Sequence, residues 1–290
     1  MTVPRYASSS IRMTVLGHVC VDENSVDGRR TVSAGSPAVY IQRQFFDRAE
    51  VEVAVISPYG EDFALFAAGL PLVGPPTAAR TLLYRNTVAL GRRTQQCLNV
   101  ESSSPAPLDD EAIRVLRATD ILMLTPLVPN FDAEFVRTAA HLLPSSAATV
   151  LLAQGYLREI GATGHVGKRS FDDFREVLPL VDVVVLSDED ADDAVGTASE
   201  WVRRIPEISV VVTENRNGAT LVTRDGRMTF PADPIGDDRM LDGIGAGDVF
   251  SAELALRFHQ TRDIADAIGA ANSAAARFLL TASDVVVEAV

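Results

Sequence analysis

The stretch "DGIGAGD", residues 242–248, sets two carboxylates six positions apart around a turn in which three of the five intervening residues are glycine. It runs straight into "VFSAELALRFH", a helical pattern, so the backbone N–H groups of Gly245, Ala246, Gly247 and Asp248 are the donors that a helix N-terminus leaves unpaired. Glycine lets an anion approach without a Cβ in the way, and the helix dipole adds to the amides, which together make a phosphate-sized anion site. Asp248 falls in the first turn, where a carboxylate is stabilised and expected to stay ionised at neutral pH. A carboxylate beside a phosphate site can accept the proton of a hydroxyl attacking phosphorus, so the motif reads as phosphoryl transfer. A plain N-cap would account for Asp248, but not for the alternating glycines before it.

The surrounding chain makes this local arrangement necessary. Its 290 residues carry 39 acidic against 26 basic side chains, a formal net charge of -13, and the pI is near 4.7. Such a surface disfavours nucleic acid and anionic membranes as partners and leaves small-molecule chemistry as the expectation. No run of about 18 apolar residues suggests a membrane span. The start, "MTVPRYASSSIRMTV", lacks the apolar core of a secretory signal, and residues 1–10 read as a frayed leader. Cys20 and Cys97 come without a C-x-x-C or paired-histidine spacing, so neither a disulfide framework nor a zinc site is indicated, and a cytoplasmic location fits.

Several elements must position the motif. Continuous β-branched runs at 13–19, 51–57, 120–126, 148–154, 181–187 and 208–214 suit strands covered on both faces, as in a parallel sheet. Helical patterns lie between them, for example "SPAVYIQRQFFDRA", "DDEAIRVLRA", "FDAEFVRTAAHLL", "FDDFREVLP" and "ASEWVRRI", and the alternation predicts a βαβ sheet flanked by helices. Residues 22–34 and 79–100 break the rhythm; the second alternates around Gly91 like a hairpin, and the two could pair as a small β lid over one edge of the core. A surface hairpin without function is the alternative. Two strands within 218–232 and two Ala-rich helices, 245–259 and about 263–280, complete the chain, with no Ser/Gly linker to divide it. The expectation is therefore one domain over residues 1–290, with lid insertions near 22–34 and 79–100.

Other motifs fail on inspection. "GATGHVGKRS" (161–170) has Ala162 where a P-loop needs glycine and Arg169 where it needs Ser or Thr, and "GIGAGD" ends on Asp248 where a dinucleotide fingerprint needs glycine. No G-x-S-x-G elbow occurs. The four histidines, His18, His141, His165 and His259, are scattered and read as packed or solvated residues. "DEDADD" (188–193) reads either as a solvated acidic helix start or as magnesium ligands.

Taken together, these residues resemble the PfkB carbohydrate kinases, the ribokinase-like group, over about residues 12–282. "DGIGAGDVFSAELA" is similar to that family's D-T-x-G-A-G-D signature, with Gly243 at the threonine position. The resemblance implies a three-layer α/β/α fold with a mostly parallel sheet and a small β lid, Asp248 as general base, and Gly245, Ala246 and Gly247 as the anion hole. Asp22 in "GHVCVDEN" is implied to hold substrate hydroxyls. "SAGSPAVYIQRQF" falls at the double-glycine segment, which implicates Gly35 and Ser36 in substrate binding, with Tyr40 where an asparagine is often found. "LSDEDAD" stands where N-x-x-E lies near magnesium, with Ser187 and Asp190 at its ends. In "VVVTENRNGATL" the nucleotide-side positions are Thr213, Asn215 and Gly218, and in "GAANSAAARFLL" Asn272 is expected beside the adenine. "AQGYLREI" resembles the cyclitol and inositol kinase branch, where Arg158 would neutralise a moving phosphoryl group; a surface ion pair is the alternative. Asp242 is expected to position magnesium-bound water or the loop itself.

The resemblance implies an ATP- and Mg²⁺-dependent kinase for a small polyhydroxylated substrate, a sugar or a cyclitol, with pairing of lid edges giving a homodimer. A nucleoside kinase of the same family and a non-catalytic ribokinase-like ligand-binding protein are the alternatives.

Overall fold

The computed structural model describes residues 10–26, 28–66, 69–89, 92–235 and 243–282. The leader up to residue 9, Gly91 and Asp242 lie outside them. The first half of the chain forms β1 (Ile11–Gly17), β2 (Cys20–Val26), β3 (Arg29–Gly35), α1 (Pro37–Phe45), β4 (Val51–Ile56), β5 (Leu72–Val73), β6 (Leu83–Ala89), β7 (Arg92–Leu98), α2 (Asp110–Arg117), β8 (Ile121–Thr125) and α3 (Ala133–Leu142). There follow β9 (Ala148–Leu152), β10 (Arg158–Ile160), β11 (Val166–Lys168), α4 (Phe174–Val177), β12 (Val183–Ser187), α5 (Ala194–Arg204) and β13 (Ser209–Thr213). The last elements are β14 (Ala219–Thr223), β15 (Gly226–Phe230), α6 (Ala246–Thr261) and α7 (Ile264–Ala282).

Among the described residues the main sheet has nine strands in the order β15-β14-β13-β12-β9-β8-β1-β4-β5. All neighbours run parallel except β13–β14 and β14–β15. The expected strands form because their side chains bury on both faces with a period of two. Met13 and Val15 of β1, Ile121 and Met123 of β8, and Val183 and Val185 of β12 pack towards α1, α6 and α7. Leu16, Leu122, Leu124, Val184 and Leu186 pack towards α2, α3, α4 and α5. The result is the three-layer α/β/α arrangement of the ribokinase-like fold. The stretch at 161–170 that mimics a P-loop lies in and after the β10–β11 hairpin.

A separate four-stranded sheet, β3-β2-β6-β7, accounts for both rhythm-breaking segments. β2 pairs antiparallel with β3 and parallel with β6, and β6–β7 is the expected hairpin. It grows out of the end of β1 through His18 and Val19, so this lid-like sheet is rooted beside the middle of the main sheet.

The helix starts differ in a way that bears on function. Asp109, Asp132 and Asp193 cap α2, α3 and α5 by accepting first-turn amides, and Asp263 does the same for α7 through Ala265 and Asp266. α1 and α6 have Ser36 and Gly245 at the capping position and no side-chain cap bond.

Candidate active site

From β1 the chain goes to β4 on one side of the sheet, while β8, β9, β12 and β13 are laid down on the other. The carboxyl ends of β1 and β8 therefore flank a topological switch point, where parallel α/β sheets leave a crevice. A cavity of about 120 Å³ opens there. Cys20, Asp22, Tyr84, Asn86 and Gln95 of the lid line it, with Ser36, Pro37 and Tyr40 at the start of α1. Leu127, Gln154 and Arg158 from the sheet ends and Ile244 and Asp248 before and within α6 complete the wall.

Asp22 is fixed by its strand. In the lid register it lies opposite Ser33 on β3 and Tyr84 on β6, and the Cys20 thiol donates to Asp22 Oδ1 at 3.5 Å. Gly35 has to be glycine here, since a Cβ on it would lie 2.2 Å from Asp22 Oδ2. The next row of the same face joins three carboxamides: Asn86 Nδ2 donates to Asn24 Oδ1 at 2.9 Å and Gln95 Nε2 donates to Asn86 Oδ1 at 2.8 Å. The opposite face carries Glu23, which accepts from Arg85 at 2.9 Å and pairs with Arg30 at 2.8 Å. Period two thus sorts the lid into a polar cavity face and an ion-paired outer face.

Arg158 reaches the cavity from the first position of β10, just past the turn that follows β9. Its guanidinium donates to Gln154 Oε1 at 2.9 Å, Tyr84 Oη at 3.2 Å and Leu127 O at 3.4 Å. It lies 5.1 Å from the Tyr84 ring centroid. The surface ion pair considered for Arg158 is not what the structure contains. Burial pushes the Tyr84 phenol up, so it remains a donor, to Leu127 O at 2.6 Å.

The turn before α6 is shaped by Gly245, whose φ of 87° is left-handed and whose Cα faces the Tyr40 ring, 2.2 Å from where a Cβ would stand. Ala246 N–H donates to Gly243 O at 3.1 Å, which commits that amide to the turn. The helix ladder begins with Val249 N–H on Gly245 O, leaving Gly247 and Asp248 in the first turn, where the ladder supplies no acceptor. Asp248 is half-buried, and its carboxyl is pushed up to about 7. Desolvation is the largest cause, Arg158 opposes it and the Asp22 charge adds to it. The expectation of full ionisation at neutral pH is corrected accordingly: burial outweighs the helix terminus.

The residues assigned to a donor cluster at the ends of β12 and β13. Asp190 Oδ2 accepts Ser187 N–H at 2.8 Å; burial raises its pKa while that amide and Arg158 lower it. Thr213 lies opposite Ser187 in the sheet. Asn215 takes the left-handed φ of 50°, a conformation asparagine tolerates, so it can stand where the motif has glycine. Its side chain donates to Asp188 Oδ1 at 3.1 Å. Gly218 closes the following turn, its carbonyl accepting Glu214 N–H at 2.8 Å. Asn272 is buried, and its amide donates to Pro231 O at 3.0 Å. Asp242 lies outside the described residues. Among the described residues no three His, Cys, Asp or Glu side chains gather to hold a metal. One carboxylate such as Asp190 suits a magnesium ion that keeps its waters and rests on phosphate oxygens.

Sequence reasoning missed Tyr84, Asn86, Gln95 and Gln154. For the first three the signal was present in the alternation of "LYRNTVA" and "RRTQQCL", which puts them on one face once the register is known. His18 matches its reading as a packed residue: Nδ1 accepts Leu127 N–H at 3.0 Å, so Nε2–H donates to Ser103 O at 2.8 Å. Burial lowers its pKa to about 4. Both thiols are buried and pushed up, Cys97 to about 11.

A family model described as pfkB family carbohydrate kinase matches residues 104–284. No curated protein matches the chain. Among solved structures, a pyrophosphate-dependent kinase in the ribokinase family, complexed with a pyrophosphate analog and myo-inositol, superposes with a TM-score of 0.70 at 15% identity, covering 92% of this chain and 95% of that one. Arabidopsis thaliana ribokinase, complexed with ribose and ATP, gives 0.69 at 13% identity, with 94% and 93% covered. Anopheles gambiae adenosine kinase gives 0.66 at 13% identity, with 94% and 96% covered.

Proposed function

Because the chain belongs to the PfkB family of carbohydrate kinases, we propose that it transfers a phosphoryl group from ATP to a hydroxyl of a small sugar or cyclitol. The observation that carries this reading is the meeting of Asp22, Arg158 and Asp248 around one cavity whose remaining wall is rich in hydroxyl and carboxamide groups. A nucleoside would call for a flat apolar slot, whereas carboxamides, a carboxylate and a guanidinium on several sides suit a compact polyol.

In this reading Asp22 and the Gly35–Ser36 segment orient the polyol, and Asp248 in its ionised form accepts the proton of the reacting hydroxyl. The amides of Gly245, Ala246 and Gly247 offset charge on the transferred group, and Arg158 shares it without losing its own proton. Ala246 contributes only if its contact with Gly243 O opens. Thr213, Asn215, Gly218 and Asn272 form the donor side. Bound Mg²⁺ would neutralise donor phosphate charge; Asp190, with Asp242, is assigned to hold it through water. The lid segments near 22–34 and 79–100 exclude water as a competing nucleophile, within one catalytic unit spanning residues 1–290. A cytoplasmic location and a homodimer through the lid edge belong to the same proposal.

Pyrophosphate is a second reading of the donor. It is favoured by the likeness in fold to a pyrophosphate-dependent kinase in the ribokinase family. The test is phosphorylated product formation with ATP or pyrophosphate, with and without Mg²⁺, across sugars, inositols, aminocyclitols and nucleosides. Polyol-dependent turnover supports the proposal. Silence across the panel overturns it in favour of a non-catalytic ligand-binding protein, and a preference for nucleosides overturns the substrate class.

A further inference from the structure

The β10–β11 hairpin ties the lid to Arg158. Arg158 opens β10 and pairs with Lys168 at the end of β11. The turn between the strands is closed by Gly161 N–H on His165 O at 2.9 Å and Gly164 N–H on Gly161 O at 2.8 Å. Its tip reaches the outer edge of β7, the last strand of the lid sheet. There Cys97 N–H donates to Gly164 O at 2.7 Å, Gln96 bridges antiparallel to His165, and Gln96 Nε2 donates to Thr163 O at 3.4 Å. Because the Cys97 amide points out to the hairpin, the Tyr84–Cys97 pair of β6 and β7 is one without mutual backbone bonds, the kind in which side chains lie closer. The contact leaves no room for a side chain at the tip: Gly164 has a φ of 79°, and a Cβ on it would lie 2.6 Å from Cys97 O and 3.1 Å from Leu98 Cδ2. Beneath it, Ile160 and Val166 of the hairpin pack against the small apolar cluster that contains Tyr84, Cys97 and Leu127.

These contacts close a circuit. Arg158 donates to Tyr84 Oη, Tyr84 stands opposite Cys97, Cys97 is bonded to Gly164, and the hairpin returns from Gly164 to Arg158. The other two acceptors of the guanidinium, Gln154 Oε1 and Leu127 O, lie at the ends of the main sheet, so Arg158 spans sheet and lid. We propose that Gly164 is a positioning residue: by seating the hairpin tip on β7 it fixes where sheet and lid together hold the Arg158 guanidinium in the cavity. The consequence for phosphoryl transfer rests on the polyol-kinase reading, whereas the placement of Arg158 does not.

Gly164→Ala drives a Cβ into Cys97 O and lifts the tip from β7. Asp248 reports what moves. The titratable groups that line the cavity with it are Cys20 and Asp22 from β2, Tyr84 from β6, Tyr40 from α1 and Arg158 from β10. Of these, Arg158 lowers the Asp248 pKa and Asp22 raises it. With Arg158 displaced, the Asp248 titration, read by ¹³C NMR of labelled aspartate and assigned with Asp248→Asn, should move to higher pH by roughly half a unit to one unit. The acid limb of kcat/KM should follow, and kcat should fall roughly tenfold or more. In an Arg158→Gln background Gly164→Ala should add no further shift. Gly161→Ala, in the same turn but with only His165 O at 3.6 Å from its Cβ, should leave titration and turnover unchanged. Val166→Ala thins the packing under the lid without backbone strain and should move the titration in the same sense by less, which keeps the test open if Gly164→Ala does not fold. A shift to lower pH would mean that the lid had carried Asp22 away instead, and it overturns the proposal. So does an unshifted titration in folded Gly164→Ala, or in Val166→Ala where the first variant does not fold. A wild-type protein silent on every polyol overturns the kinase reading, while the NMR titration still decides the placement of Arg158.

Discussion

Replacing Asp248 by asparagine should remove activity and stabilise the protein, with a pH dependence set by where the carboxylate sits. Its pKa rises from 3.8 to about 7 in the folded chain, chiefly because burial disfavours the charge. A carboxyl raised in this way contributes stability that is fully present below 3.8 and is lost as pH climbs to about 7, because the unfolded chain ionises first. At ~1.4 kcal/mol per pH unit, that rise corresponds to at most roughly 4 kcal/mol by pH 8, and to about 1.5 kcal/mol at pH 5. Asparagine keeps the size and stays neutral, so the stability advantage of Asp248→Asn over wild type should widen by about 2 to 3 kcal/mol between pH 5 and pH 8. With roughly 2 °C per kcal/mol for a chain of this size, thermal melts at the two pH values resolve it. Effects of the substitution on packing are common to both pH values and cancel in the difference. Turnover should fall by roughly 10² to 10⁴, as for loss of a general base. A stability difference that does not change with pH would refute the account of the buried carboxylate, and near-normal turnover would refute its role as base.

The neighbours of Asp248 should move the acid limb of the wild-type pH–rate profile, centred near pH 7 in the free enzyme, in opposite directions. Asp22→Asn removes a charge that raises the Asp248 pKa, so kcat/KM should hold up to lower pH, while the polyol KM rises roughly tenfold or more. Arg158→Gln removes the opposing charge and should shift the limb to higher pH with a fall in kcat; a shift in the same sense for both variants would contradict the assignment. Gly35→Ala places a Cβ 2.2 Å from Asp22 Oδ2 and should raise KM through displacement of that carboxylate, which steady-state kinetics at constant fold would detect. Gly245→Ala meets both a φ of 87° and the Tyr40 ring, and chemical denaturation should report a loss of at least about 1 to 3 kcal/mol.

Much of this protein was legible in the chain because the relevant physics is local. The continuous apolar runs mark buried parallel strands by composition alone, and six of them appear as β1, β4, β8, β9, β12 and β13 within two residues of their expected ends. "GIGAGD" announces a helix N-terminus because glycine conformation, first-turn amides and the dipole all depend on neighbours within one turn. The acidic net charge of -13 made nucleic acid a disfavoured partner in expectation, without reference to any fold. The protonation of Asp248 was not legible, since it is set first by burial in the folded chain and then by the charges of Arg158 and Asp22, which are distant in sequence. The carboxamide row Asn24–Asn86–Gln95 needs the parallel β2–β6 register, which no single strand encodes. In the sequence Ser36 was marked only by its place in the segment that resembles the family's double glycine. Its glycine-like backbone at the junction of β3 and α1, and its buried hydroxyl without a partner, appear only in the tertiary structure. Local propensities determined the elements and the glycine turn before α6; desolvation and register, which depend on the whole fold, decided the chemistry of the cavity they enclose.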